Sequence, residues 1–107
     1  SIEEGMYADI HVSISQKKDV PITGILIRHA EVISIKDHKG LSLKDEQSSK
    51  VPHFIELGIN QSDIDYLSLA SSLGEVRLFP SKNSYQPDKS TLELDSKVTE
   101  YLKILQQ

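Results

Sequence analysis

The chain has no cysteine and no tryptophan. The first absence removes disulfides, zinc–thiolate centres and thiol catalysis, although it fixes no cellular compartment. The second, with aromatics at only 6% of residues, leaves little for stacking nucleic-acid bases. Basic residues are too few and scattered for a phosphate-binding surface. There are twelve against sixteen acidic ones, a net charge of −4, and the densest pair is Lys17-Lys18. This argues against nucleic acid as a partner. Five glycines form no phosphate-cradling loop. No apolar run approaches the ~20 residues of a membrane span, and no signal peptide is visible. The opening Ser1-Ile2-Glu3-Glu4-Gly5 reads as the interior of a longer protein, so missing targeting segments say little about the parent.

What remains suits one domain over residues 1–107, with apolar residues at 37% and charged ones at 26%. The organising stretch is Val51 to Pro80. Ile55, Leu57 and Ile59 alternate with Glu56 and predict a half-buried strand. Asn60 stands at a helix N-cap, with Asp63 as a weak capping-box partner. Ile64, Leu67, Ala70 and Leu73 form an apolar row flanked by Tyr66 and Leu69, with Ser68, Ser71 and Ser72 outside. Gly74 is expected to end the helix in a left-handed conformation. Glu75 to Phe79 then reads as a strand closed by Pro80. Strand, helix and strand in so short a space suggest a βαβ-like crossover in which parallel pairing is open.

Upstream, Gly5 is a turn, and Met6, Ala8, Ile10, Val12 and Ile14 alternate with Tyr7, Asp9, His11 and Ser13, the cleanest strand signal present. Thr23 to Ile35 is a second extended region. Its length and blurred apolar phase predict a bend or bulge near His29-Ala30. Lys36 to Lys50 is polar and reads as a flexible loop, least ordered in its second half; Ser81 to Pro87 is another loop. In the tail, Val98, Tyr101, Leu102 and Leu105 predict a helix capped by Asp95 or Ser96, with Ser90 and Glu93 as a rival start. It is expected to dock on the domain's own sheet, a partner chain being the alternative. The fold class is α+β: a small mixed or antiparallel sheet, one helix between strands and a C-terminal helix.

No constellation of catalytic, cofactor-binding or metal-binding residues emerges. His11, His29, His38 and His53 have no partner at metal-ligand spacing. Asp9 and His11 share a strand face but lack a third converging group, so a solvated face explains them. Asp63 and Asp65 point in different directions on a helix. The serines of the central helix lack a nucleophile elbow. Tyr66, Tyr85 and Tyr101 read equally as interface anchors or core edge.

Two stretches carry a resemblance. Gly5-Met6-Tyr7-Ala8-Asp9-Ile10-His11-Val12, followed by Gly24 to Asp37, resembles the "G-D-x-V-D-V" and "L-L-x-x-V-x-V-L-A-V-D" strands of the CpaB/RcpC family of Flp (Tad-type) pilus assembly proteins. Ile55-Glu56-Leu57 with Asp63 to Leu78 is similar to that family's "T-L-E-V-T-P-E-Q-A-E-x-L-A-L-A-x-x-x-G-x-L-x-L", Leu67-Ser68-Leu69-Ala70 standing for L-A-L-A. The chain departs where Asn60-Gln61-Ser62 replaces Thr-Pro-Glu, where Leu78-Phe79-Pro80 lacks an Arg, and in its C-terminal helix, which has no counterpart. The resemblance implies a bacterial periplasmic domain whose parent is anchored in the inner membrane. Gly5 to Val12 would lie at the junction with a preceding SAF (β-clip) domain. The implied role is non-enzymatic scaffolding beside the outer-membrane secretin, through protein–protein interaction with the secretin and other assembly proteins. A carbohydrate-binding or carbohydrate-processing domain with a β-clip-like fold is the alternative, which a pocket gathering Asp9, His11 and Arg28 would favour. A periplasmic chaperone of flagellar or pilus subunits is a third reading.

Overall fold

The computed structural model describes residues 1–107. The elements are β1 (Tyr7–Ile14), β2 (Ile22–Lys36), β3 (Phe54–Gly58), α1 (Ile64–Leu73), β4 (Glu75–Pro80), β5 (Thr91–Leu92) and α2 (Lys97–Leu105); a 3-10 turn, Gln61–Asp63, leads into α1. The fold is α+β. Five strands form an antiparallel sheet in the order β3-β2-β1-β4, and β5 pairs with β2 beyond the end of β3. One helix lies between strands and the other closes the chain.

The alternation in β1 is realised residue by residue. Met6, Ala8, Ile10, Val12 and Ile14 are buried, and Tyr7, Asp9, His11 and Ser13 sit on the opposite face. β2 makes the predicted irregularity with two register shifts against β1. Ala8 faces Ala30, Ile10 faces Ile27, and His11 faces Ile25. Each shift inserts a residue in β2, which is why Leu26 and Ile27 are both buried and the apolar phase looked blurred. His29 occupies the left-handed region with φ 61°.

One face of the sheet carries both helices. Ile10, Val12, Ile14, Leu26, Ile27 and Ala30 pack there against Ala70 of α1 and against Val98 and Leu102 of α2. Beside them Ala8, Val32 and Ile35 are covered by Ile2 and Leu43. Thus α2 docks on its own sheet. Thr99 is buried with Val98 and Leu102, whereas Leu105 of the expected stripe is 46% exposed.

Four expectations for the central stretch are corrected. First, β3 and β4 are neither parallel nor adjacent. They form the two opposite edges of the sheet, with β2 and β1 between them. Ten residues of helix extend ~15 Å and three strand spacings total ~14 Å, so α1 has the length to cross the sheet. Second, the apolar row of α1 is buried only in its middle. Ala70 is enclosed, but Ile64 and Leu73 at the ends are 49% and 43% exposed. Third, Asn60 makes no side-chain cap. Its amide donates to the Ser90 carbonyl and its backbone N–H to the Ser90 hydroxyl, which also takes Ser90 away from the rival helix start. Asp63 likewise makes no side-chain cap bond.

Fourth, Gly74 is extended, with φ −152° and ψ −161°, and not left-handed. Its need for glycine is spatial. A Cβ there would lie 2.3 Å from the Ser13 carbonyl oxygen, a backbone atom that side-chain rotation cannot move aside. Gly74→Ala should therefore destabilise the fold by about 1–3 kcal/mol in urea unfolding, as overpacking does. An unchanged midpoint would show that β1 yields freely at Ser13.

The segment read as a flexible loop, Lys36 to Lys50, is laced by hydrogen bonds to one carboxylate. Asp37 is fully enclosed and accepts the backbone N–H groups of Lys39, Leu41 and Ser49 at 2.9, 3.0 and 3.1 Å. Burial alone would raise its pKa. The bonds from Leu41, Ser48, Ser49 and Lys39 outweigh that and hold it at about 2. Glu4 ties the N-terminus into the same region by accepting from the Ile35 N–H and the Ser42 hydroxyl.

Candidate functional site

A polar cluster lies on the face of the sheet away from the helices, where the bulge in β2 meets β1. Opposite the inserted residues stands Asp9. One carboxylate oxygen, Oδ1, accepts the His29 backbone N–H at 3.0 Å and the Ser81 hydroxyl at 2.6 Å. The first of these bonds holds His29 in its left-handed conformation, which a non-glycine residue adopts only when its surroundings enforce it. The other oxygen lies 3.8 Å from Arg28 Nη1. Arg28 in turn donates from Nε to Glu93, just after β5. That bond holds the Glu93 carboxyl below its usual range and raises the Arg28 guanidinium.

The loop after β4 closes over this cluster. The His29 ring stacks on Tyr7, centroids 4.4 Å apart and planes within 7°. His29 Nε2 is 2.7 Å from the Gln86 carbonyl oxygen. A carbonyl only accepts, so Nε2 carries the proton there. Tyr7 also donates its N–H to the Ser84 carbonyl. Between loop and sheet is a cleft of about 360 Å³ lined by Asp9, Arg28, His29 and Ser81 among other residues, none of them hydrophobic.

Chemically this is a holding arrangement. Ser81 donates to a carboxylate and His29 to a backbone carbonyl, so the hydroxyl and the imidazole are not paired as nucleophile and base. Asp9, Arg28 and Glu93 form a charge chain at a half-exposed surface. The cleft offers hydrogen-bonding groups of both signs to a polar ligand.

Of the residues named as a possible ligand pocket, Asp9 and Arg28 come together and His11 does not join them. His11 packs edge-on against Phe79 with centroids 4.6 Å apart, in a separate hollow with Arg77 and Glu75. His38 is exposed, and His53 sits edge-on to Phe54. No three His, Asp or Glu side chains converge as metal ligands. Tyr66 and Tyr101 pack at the core margin, while Tyr85 is 67% exposed. The roles of Ser81 and Glu93 were not legible in the sequence, because each lies in a polar segment far along the chain from Asp9.

No helix is long and apolar enough to cross a membrane. Comparison with protein-family models, with curated proteins and with solved structures finds no match to this chain.

Proposed function

We propose that the domain is a non-enzymatic assembly module of a Flp (Tad) type pilus secretion system. It works in the periplasm beside the secretin, with its parent anchored in the inner membrane. The observation that carries this reading is where the resembling residues lie. They supply β1, most of β2, β3, α1 and β4, which are the scaffold of the fold. The Asp9 cluster is in keeping with it: Ser81, His29, Arg28 and Glu93 are engaged with one another or with the loop. Tagged full-length parent protein, crosslinked in intact cells and purified from the envelope, should bring down the secretin or neighbouring assembly proteins. A parent found only in the cytosol, with no such protein recovered, would overturn the proposal.

One observation favours the second reading, a binder of carbohydrate-like ligands. The cleft beside Asp9 is lined mainly by charged and polar side chains, which can hydrogen-bond a hydroxyl-rich ligand. Binding would raise the melting temperature with ligand concentration. A panel of mono- and oligosaccharides that leaves the midpoint unmoved removes this reading.

A further inference from the structure

The sheet ends in two free edges, β3 and β4. Which of their backbone groups face outward follows from the phase of the existing bonds. On β2, Val32 bonds to Gly5 and Met6, and Ile35 bonds to Glu4 and Leu43, all away from β3. Bonded and non-bonded pairs alternate in an antiparallel ladder. Phe54 and Glu56 therefore bond inward to β2, and Ile55 and Leu57 turn N–H and C=O outward. On β4, Ser81 donates to the Tyr7 carbonyl. The same alternation turns Phe79, Arg77 and Glu75 toward β1, and Val76 and Leu78 outward.

We propose that copies of this chain join edge to edge, β3 of one against β4 of the next, antiparallel, with Phe54 opposite Phe79, Ile55 opposite Leu78, Glu56 opposite Arg77 and Leu57 opposite Val76. Four conditions meet in this register. Strand directions alternate across the four-strand path, so a neighbour in the same orientation presents β3 antiparallel to β4. Ile55 and Leu57 lie on the helix-bearing face with Val32 and Ile35, as Val76 and Leu78 do with Val12 and Ile10, so the cores align. The outward groups of Ile55 and Leu57 meet those of Leu78 and Val76 as bonded pairs. On the other face Glu56, 2.7 Å from Lys36, meets Arg77, 3.2 Å from Glu75, giving a row of alternating charge.

Charge disfavours several competitors, but not the β4–β4 pairing that sets Val76 on Val76 and Arg77 opposite Glu75. That pairing closes at two copies and depends on Arg77 alone, so mass and the response to each substitution separate it. A two-residue slip sets Glu56 against Glu75 or against Phe79. Pairing β3 with a second β3 so that Ile55 meets Leu57 sets Glu56 on Glu56, and the matching β4 pairing sets Arg77 on Arg77. Phe54 and Phe79, 51% and 46% exposed, are otherwise an aggregation hazard on bare edges. Because the two surfaces differ, each added copy leaves one edge open, and growth continues past the dimer to a ring or filament. The pairing is independent of the pilus role and is tested without any other protein.

Sedimentation velocity over a wide concentration range should show mass rising beyond the dimer. Glu56→Arg alone and Arg77→Glu alone should each weaken association about tenfold or more, through like charges facing across a pair. Combining both substitutions in one chain, or mixing the two single variants, should restore assembly. Melting curves of each variant check that it is folded. A chain that stays monomeric throughout overturns the proposal. So does a species that stops at two copies and responds to only one substitution, or a double substitution that recovers nothing.

Discussion

Truncating Leu102 to alanine should lower stability by about 3 kcal/mol, within the range for a fully enclosed leucine whose cavity cannot collapse. Leu102 is completely buried and joins Val98 against Ile10, Val12 and Leu26. With Val98 it is one of the two fully buried apolar side chains that join α2 to the sheet, and an isolated helix of nine residues has little stability of its own. Against a typical total of about 5–15 kcal/mol the loss is large. The urea midpoint should fall with little change in slope. Leu105→Ala is the control. At 46% exposure it should cost about 0.5 kcal/mol or less. Equal losses at the two positions would show that α2 is rotated from the orientation described.

Replacing Asp37 by alanine should strip the 37–50 segment of its common acceptor and leave several backbone N–H groups without a partner. Unmade buried bonds cost more than made ones contribute, so the melting temperature should drop on the order of 10 °C. Asp37→Asn keeps the shape and should lose less. The acid dependence has a definite sign. The carboxyl is held at about 2 in the fold, below its ordinary 3.8, so the unfolded chain takes up the proton first. Its contribution is complete above about pH 4 and disappears as the pH falls toward 2. Glu4, lowered chiefly by the Ile35 N–H and the Ser42 hydroxyl, acts in the same direction. The stability gap between wild type and Asp37→Asn should therefore close on acidification. A gap equal at pH 6 and in strong acid would remove ionised Asp37 as its source.

Local patterns in the sequence carried the elements well. β1 was plain because one buried face and one wet face impose a period of two. The bulge in β2 was visible as a break in that period at His29. Helix α2 showed through Val98 and Leu102. Long-range placement was not legible. Two strands joined by a short helix suggest neighbours, and only the rest of the sheet shows that β2 and β1 lie between them. Nothing in a polar run marks Asp37 as a hub, since its partners are backbone amides that any residue supplies. The helix end at Gly74 was legible but its extended conformation was not, because the neighbour that crowds it, Ser13, is distant in the chain and left no local trace. The Asp9 cluster was half visible. Asp9 lies on the wet face of β1 by periodicity, but Ser81 and Glu93 reach it only through folding.

The crossing of α1 from one rim of the sheet to the other has a consequence for biosynthesis. Emerging from the ribosome, the chain exposes the β1–β2 hairpin first, and the vacant flank of β1 waits until β3 and α1 have been made and β4 follows. The apolar underside waits longer still, since α2 follows β4 and β5 in the chain. Until α2 has emerged, the face formed by Ile10, Val12, Leu26 and Ile27 is bare and the nascent domain is at its most adhesive.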